Sequence, residues 1–507
     1  MTWCNTDDAF SVRRAGVLLH PTCLPGPWGI LGQSARNFVD FLADSGLTVW
    51  QTLPIGPTHP DLSPYQSLSA HAGNPAFIDL TELVPENLLK DGELTHPASD
   101  SRRNLLTLAA QRFFNGQGKE SDGFDQTGFQ TFCDTNAYWL DDFCLFCAIR
   151  ERQETAQGAE QDDVQQKMGW SQWPEPLRDR DAESLRQFSN QNQPRLDRIR
   201  FEQFLFHHQW QALRHYARGR GILLFGDIPI FVAYDSADVW ANRDLFKLNE
   251  RGEPTVVAGV PPDYFSSEGQ HWGNPLYKWD AMAGDGYQWW MQRLESQRHL
   301  FDLIRIDHFR GLQAYWEIPA ETPEPKLGYW VPGPGDHFLK ACFNRFPDLP
   351  LVAENLGVIS DDVEELRKRF RLPGMTVIQF GFDGSPDNPH LVHRHDSRDL
   401  VYTGTHDNDT TLGWYKSLDD HTRHHVDTYL GTSGEDMPWP LIEAAMKSAC
   451  SLAIVPMQDF LGLGAEARFN TPGTVVNNWL WQLDGSLCRQ ELSNRISALL
   501  QKHGRRA

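Results

Sequence analysis

Five polar clusters, each ending a short apolar run, hold the residue types that acid–base chemistry needs. They are Gly226-Asp227-Ile228-Pro229, Arg305-Ile306-Asp307-His308-Phe309-Arg310-Gly311, Ala353-Glu354-Asn355-Leu356-Gly357, Gln379 with Asp383, and Thr403-Gly404-Thr405-His406-Asp407-Asn408-Asp409. One strand-end carboxylate can simply cap the next helix. Four or more, interleaved with Arg and His, converge on one acidic pocket if the runs are neighbouring strands. A barrel metal hydrolase draws on His/Asp clusters, but no His-x-His ends a run here. Cys144-x-x-Cys147 has no companion pair and reads as one face of an apolar helix. A serine nucleophile calls for a Gly-x-Ser-x-Gly elbow, which the sequence lacks. Gly462-Leu463-Gly464 is missing the third glycine of a phosphate loop. What remains is a carboxylate pair acting on a neutral substrate, the chemistry of glycoside bond transfer.

Such a pocket needs a frame. Eight short runs recur: Gly16–Thr22, Thr48–Pro54, Ile222–Phe231, Leu303–Phe309, Leu349–Gly357, Thr376–Phe382, Leu400–Asn408 and Ser451–Phe460. Most are apolar without alternation, the pattern of strands buried on both faces of a parallel sheet. Helical stretches such as Gln33–Ser45, Asp361–Phe370 and Trp439–Ser448 lie between them, and Pro440 suits a first helical turn. The pattern predicts an α/β fold, a (β/α)8 TIM barrel with its active site at the carboxyl ends of the strands. About 170 residues separate the second and third runs, more than one helix requires. We therefore expect one catalytic barrel over 1–507 with a helical subdomain inserted at about 80–215. A loop-built active-site region is expected at about 234–286, and the charged, Gln-rich stretch Arg150–Gln166 should be exposed. The eighth run lies so near the end that no sizeable C-terminal β domain is expected.

Composition narrows the partners. The 507 residues carry 46 Lys+Arg against 67 Asp+Glu, a net charge of −21, which argues against nucleic acid or an anionic membrane as partner. No apolar run approaches the roughly 20 residues of a membrane span. Ala15–Leu19 is broken at once by His20, Pro21 and Pro25, too short for a signal-peptide core. Eight cysteines without a spacing framework point to a reducing cytoplasm. Many of the 18 Trp sit beside Gly, Pro, Asn or His, as in Gln270-His271-Trp272-Gly273-Asn274-Pro275. Loop tryptophans favour a ligand with flat apolar faces and polar edges, a description that sugars fit.

At this point the residues carry a family resemblance. Arg305–Gly311, Ala353–Gly357 and Tyr402–Thr410 resemble the catalytic motifs of the α-amylase clan. In their particular forms (R-I-D-H-F-R-G, A-E-x-L-G, Y-T-G-T-H-D-N-D-T) they resemble those of glycoside hydrolase family 77, the 4-α-glucanotransferases or amylomaltases. The likeness extends through Ser63-Pro64-Tyr65-Gln66-Ser67, Gly73-Asn74-Pro75, Gly226–Trp240, Gly259–Tyr277 and Met457–Thr474, in order along nearly the whole chain. It implies Asp307 as nucleophile, Glu354 as general acid/base and Asp407 as the carboxylate that holds sugar hydroxyls. Arg305 would keep Asp307 ionised, and His308 and His406 would bind hydroxyls around the scissile bond. Tyr65 matches the stacking residue of the central subsite, Asp227 a polar contact near it, and Gln270 and Trp272 the loop over the cleft. Asp383 and Asn470 would line the acceptor side or the wall. Asn355 departs from the family, which usually has Asp there; this bears on the protonation range of Glu354. Gly29–Gln33 lacks an acidic residue common after the first strand, and His59-Pro60-Asp61 replaces a Gly- and Tyr-containing stretch.

The resemblance implies a retaining 4-α-glucanotransferase that moves a segment of an α-1,4-glucan onto the 4-OH of glucose or a maltodextrin. Maltooligosaccharides and starch- or glycogen-type glucans would be its partners, with no cofactor or metal. An α-1,4-glucan hydrolase of the same clan is the nearest alternative, because water could take the acceptor's place. A non-catalytic glucan-binding protein is the alternative from another class.

Overall fold

The computed structural model describes residues 10–96, 99–119, 123–156, 169–262 and 268–505. In chain order the described strands are β1 (Arg14–Leu18), β2 (Val49–Gln51), β3 (Leu223–Ile228), β4 (Val256–Val260), β5 (Gln270–Pro275), β6 (Leu303–Ile306), β7 (Ala314–Pro319), β8 (Tyr329–Pro332), β9 (Leu351–Ala353), β10 (Met375–Val377), β11 (Leu400–Tyr402) and β12 (Leu452–Pro456). Eight of them form one sheet in the order β10-β11-β12-β1-β2-β3-β6-β9, every ladder parallel. Each coincides with one of the eight apolar runs. Apart from Arg14 and Leu223 at their starts, all residues of these strands are buried. That is why the runs do not alternate: one face meets the barrel core and the other the outer helices. The protein is a (β/α)8 barrel.

The sheet closes between β9 and β10 without a strand ladder among the described residues. The N–H of Ala353 donates to the carbonyl of Pro373 (2.9 Å), and the N–H of Met375 donates to Asn355 Oδ1 (2.7 Å). Pro373 has no N–H of its own, so a regular ladder cannot run through it. Asn355 Nδ2 donates to Glu364 Oε1 (2.7 Å). Arg367 binds Glu364 and Asp399 at 2.8 Å each, and Asp399 Oδ1 accepts from the N–H of Gly374 (2.7 Å). Asn355 is therefore a seam residue, turned to β10 and the helix Asp361–Arg369.

Between β2 and β3 lie the helices Ser99–Phe114, Gln126–Ala156, Ala182–Gln191 and Gln193–Arg218. Two buried amides anchor the last of them to the irregular chain after β2. Gln203 accepts from the N–H of Gly73 and donates to its carbonyl, and Gln209 does the same with Asp79. Each glutamine thus satisfies both backbone groups of a buried loop residue. Part of the charged stretch Arg150–Gln166 (157–166) lies outside the described residues. Around 234–286 the chain is less irregular than its Gly- and Pro-rich sequence suggests. β4 and β5 join β7 and β8 in an antiparallel sheet of order β5-β4-β7-β8, with a register shift between Val257 and Gly259. After β12 the described chain ends in the helix Gln490–Lys502, packed against Gln33–Ser45. No helix among the described residues is long and apolar enough to cross a membrane.

The seam makes a prediction. Asn355→Asp removes the donor to Glu364 and puts a second carboxylate beside it, which costs about 1–3 kcal/mol at neutral pH. Mutual repulsion raises the carboxyl pKa values of the folded variant, so the penalty is complete at high pH and fades as pH falls through them. Urea midpoints at pH 8 and pH 5 measure this; an equal deficit at both would refute the account.

Candidate active site

Arg305 on β6 lies directly across the ladder from Asp227 on β3. Its guanidinium is buried and holds two carboxylates. Nη1 donates to Asp227 Oδ2, and Nη2 donates to Asp307 Oδ1 at 2.8 Å. The Tyr65 hydroxyl donates to the same Asp227 oxygen at 2.7 Å. Arg305 and Asp307 are two residues apart, so the pleat sends both side chains to one face of the strand end. Burial raises the pKa of Asp307 above the usual carboxylate range; Arg305 and His406 oppose this, and the neighbouring charge of Asp407 adds to it. Burial likewise pushes Asp227 up to about 7 despite Arg305. The two carboxylates hold Arg305 firmly in its charged form against its own burial.

Glu354 follows β9 and is 9% exposed. Its Oε2 accepts from the N–H of His308 (2.7 Å), and its Oε1 from the N–H of Leu356 (2.8 Å). His308 has a left-handed backbone (φ 51°), uncommon for a residue with a Cβ. Backbone bonds from Phe309 N–H to the Glu354 carbonyl and from Glu354 N–H to the Ile306 carbonyl tie the two strand ends together. Burial, reinforced by the charge of Asp307, pushes Glu354 up to about 7, against the pull of Arg305 and the two N–H donors. A carboxyl poised near neutrality can give and take a proton.

Asp407 follows β11, two strands from β9 across the seam. Asn470 Nδ2 donates to Asp407 Oδ1, His406 Nε2 lies 3.4 Å from the same oxygen, and Arg468 Nη2 donates to the Asp407 carbonyl (2.7 Å). The His406 ring stacks on Tyr65 (centroids 5.2 Å, 19°), with Trp479 packed beside both. Over the cleft, β5 brings Gln270 and Trp272, whose indole N–H donates to Gln270 Oε1 (3.0 Å). The Trp272 ring stands edge-on to His308 at 4.9 Å. Burial lowers both histidines, His308 to about 4, so its ring is neutral at pH 7.

Ten of the twelve residues singled out in the sequence line a single cavity of about 360 Å³: Tyr65, Gln270, Trp272, Arg305, Asp307, His308, Glu354, His406, Asp407 and Asn470. Asp227 lies beneath it, bonded to Tyr65 and Arg305. Asp383 does not line the cavity. β10 stops at Val377 and the chain enters a tight turn over Ile378–Gly381, which leaves Asp383 exposed, accepting from the N–H of Ser385. Lining residues that the sequence does not single out include Asp61, Trp330 and Trp479. None ends a barrel strand, although Trp479, behind Asn477-Asn478, shares the polar-neighbour signal of the other loop tryptophans. Among the described residues no cluster of three or more His, Cys, Asp or Glu is arranged to hold a metal ion.

An eight-stranded α/β barrel with carboxylates in an aromatic-walled cleft at its carboxyl end is the architecture of barrel glycosidases and transglycosidases. The family model for 4-alpha-glucanotransferase matches residues 19–487. The chain is 44% identical over 503 residues to the 4-alpha-glucanotransferase of Thermus thermophilus, spanning 96% of this chain and 98% of that one. It is 42% identical over 520 residues to the chloroplastic/amyloplastic enzyme of Arabidopsis thaliana, spanning 99% and 88%. The amylomaltase of Streptococcus agalactiae, solved in complex with acarbose, matches with a TM-score of 0.89 at 31% identity, covering 98% of this chain and 100% of that one. The chain belongs to glycoside hydrolase family 77, the 4-α-glucanotransferases.

Removing the shared cation tests the site's electrostatics. Arg305→Leu leaves buried Asp227 and half-buried Asp307 without a counter-charge, a loss of about 3–5 kcal/mol. Their folded pKa values then rise further, so the deficit deepens as pH climbs through the raised values and shrinks as pH falls below about 7, the parent value of Asp227. Denaturant titrations across pH 5 to 8.5 read this; a deficit independent of pH contradicts it.

Proposed function

We propose that this protein is a retaining 4-α-glucanotransferase in which Asp307 is the nucleophile, Glu354 the general acid/base and Asp407 the carboxylate that grips sugar hydroxyls. One observation carries the reading. Arg305 pairs with Asp307, while Glu354, whose Oε2 accepts from the N–H of the next residue, His308, is buried and poised near pH 7. Two carboxyl groups in one cleft, one held by a cation and one ready to carry a proton, are what a double displacement needs.

Asp307 attacks the anomeric carbon of an α-1,4-linked glucosyl unit, and Glu354 gives its proton to the departing O4. The bond to the leaving glucan breaks as the β-glycosyl ester to Asp307 forms. An acceptor glucose or maltodextrin then takes the leaving chain's place. Glu354 takes the proton from its 4-OH, the oxygen attacks the anomeric carbon, and Asp307 leaves. Two inversions restore the α configuration. Asp407, His406, His308 and Arg305 surround the reacting unit and hold its hydroxyls, with Tyr65 beside it. Gln270 and Trp272 limit the access of water to the ester, so that a sugar acceptor competes with hydrolysis. Maltooligosaccharides, starch and glycogen are the substrates this chemistry serves. We place the enzyme in the cytoplasm on its sparse cysteine usage.

Two experiments test this. Asp307→Asn takes glucose release from maltotriose down to background while the melting temperature stays near that of the parent; turnover at the parent's rate overturns the assignment. With maltotriose alone, a ladder of longer maltodextrins identifies transfer, and exclusively shorter products identify a hydrolase. The pH profile gives a third. Since Glu354 must enter protonated, kcat/KM for maltotriose falls above about pH 7, approaching tenfold per unit. Fluoride leaves without needing a proton, so the same limb is absent with an α-maltosyl fluoride donor.

A further inference from the structure

The cleft has two unlike walls. One runs from Asp407 through Asn470 to the Pro472–Val475 loop and Trp479. The other starts at Glu354 and continues through Leu356, Gly357 and Val358. There Arg310 takes over: its Nη1 donates to the Val358 carbonyl (2.7 Å) and to Ser360 Oγ (3.2 Å), and its guanidinium lies 3.9 Å from the centre of the Trp330 ring. Trp330 belongs to β8, the edge strand of the small antiparallel sheet, opposite Trp316 of β7, whose ring meets it edge-on at 5.1 Å. One face of the indole is thus covered and its tilt fixed, yet 37% of the residue stays exposed and it lines the cavity.

The acid/base residue touches the oxygen that leaves and the oxygen that arrives. Sugar units beyond that oxygen must therefore lie along the Glu354 wall and not along the Asp407 wall. We propose that Trp330 is the acceptor-side platform, a ring pinned by Arg310 and Trp316 on which a glucosyl unit of the leaving and incoming chains stacks. The assignment rests on the transferase reading above and names the residue that favours a sugar acceptor over water. A flat apolar ring at the mouth of a polar cleft, with C–H faces of a sugar as its partner, gains by burial only when an acceptor is bound.

The test titrates glucose as acceptor against a fixed maltotriose donor and follows transfer and hydrolysis together. Trp330→Ala lowers the ratio of transfer to hydrolysis about tenfold and raises half-saturating glucose to match, the size of one lost aromatic stack. Trp330→Phe, which keeps a smaller ring and serves if the alanine variant fails to fold, shifts both by about two- to threefold. Leu327→Ala, an exposed neighbour outside the cavity, keeps the parent ratio and controls for damage to the β7–β8 hairpin. An unchanged ratio in Trp330→Ala overturns the proposal. So does an equal fall of transfer and hydrolysis with the glucose requirement unmoved, since that marks a merely structural ring. A parent enzyme that makes only shorter products overturns the transferase reading itself and this assignment with it.

Discussion

One guanidinium shared by a buried and a half-buried carboxylate governs this site. Arg305 pairs with Asp227 across the β3–β6 ladder and with Asp307 along its own strand. Two acids against one base leave the trio short of positive charge in a region nearly closed to water. That excess negative charge bears on Glu354, whose pKa is raised by its own burial and by Asp307. The pairing that favours an ionised Asp307 therefore also helps keep a proton on Glu354. Tyr65 adds a donor to Asp227 without adding charge, stabilising the anion while leaving that balance intact.

The barrel supplies this arrangement cheaply because parallel strands end together. Asp227, Arg305 and Glu354 come from strands or strand ends that are consecutive in the sheet, β3, β6 and β9. What the strand ends lack is a wall and a cover, and the insertions provide both. β5 lays Gln270 and Trp272 over the cleft beside His308, and the same small sheet extends to Trp330 in the cavity lining. The two ends of the cleft are thereby coupled through one rigid sheet, not through separate loops. Lys247 helps fix it by pairing with Glu317 of β7, which also accepts from the Tyr329 hydroxyl at 2.8 Å.

The barrel was legible because strands buried on both faces leave a plain sign, continuous apolar runs that end in polar residues. The three carboxylates were legible for the same reason, each sitting where a run stops. Other parts left no such sign. β7 is part-buried, β8 is largely exposed, and both follow a strand-end motif directly, so no continuous apolar run marks Ala314–Pro332 as strands. The seam depends on Pro373 interrupting a ladder and on one side chain replacing a backbone acceptor, which no periodicity records. Asn355 could be seen to depart from its family, but not that its side chain points away from the cleft. Asp383 shows the converse. It follows an apolar run like the others, yet the run ends in a tight turn, and residue type alone could not tell a strand end from a turn.

His308 breaks local propensity, and its place explains why. A left-handed backbone at a residue with a Cβ costs energy that surrounding structure must offset. Here the turn aims the His308 N–H at Glu354 Oε2, while the ring faces the cavity under Trp272. A right-handed conformation would turn one of these two groups away. Among the described residues the ring's Nε2 is buried without a partner, and the ring is neutral at pH 7. Such an atom carries a cost that a bound hydroxyl can remove. The strain and the unsatisfied nitrogen then have one origin: Glu354 is braced by the same residue whose ring lines the cavity, so both depend on one backbone turn.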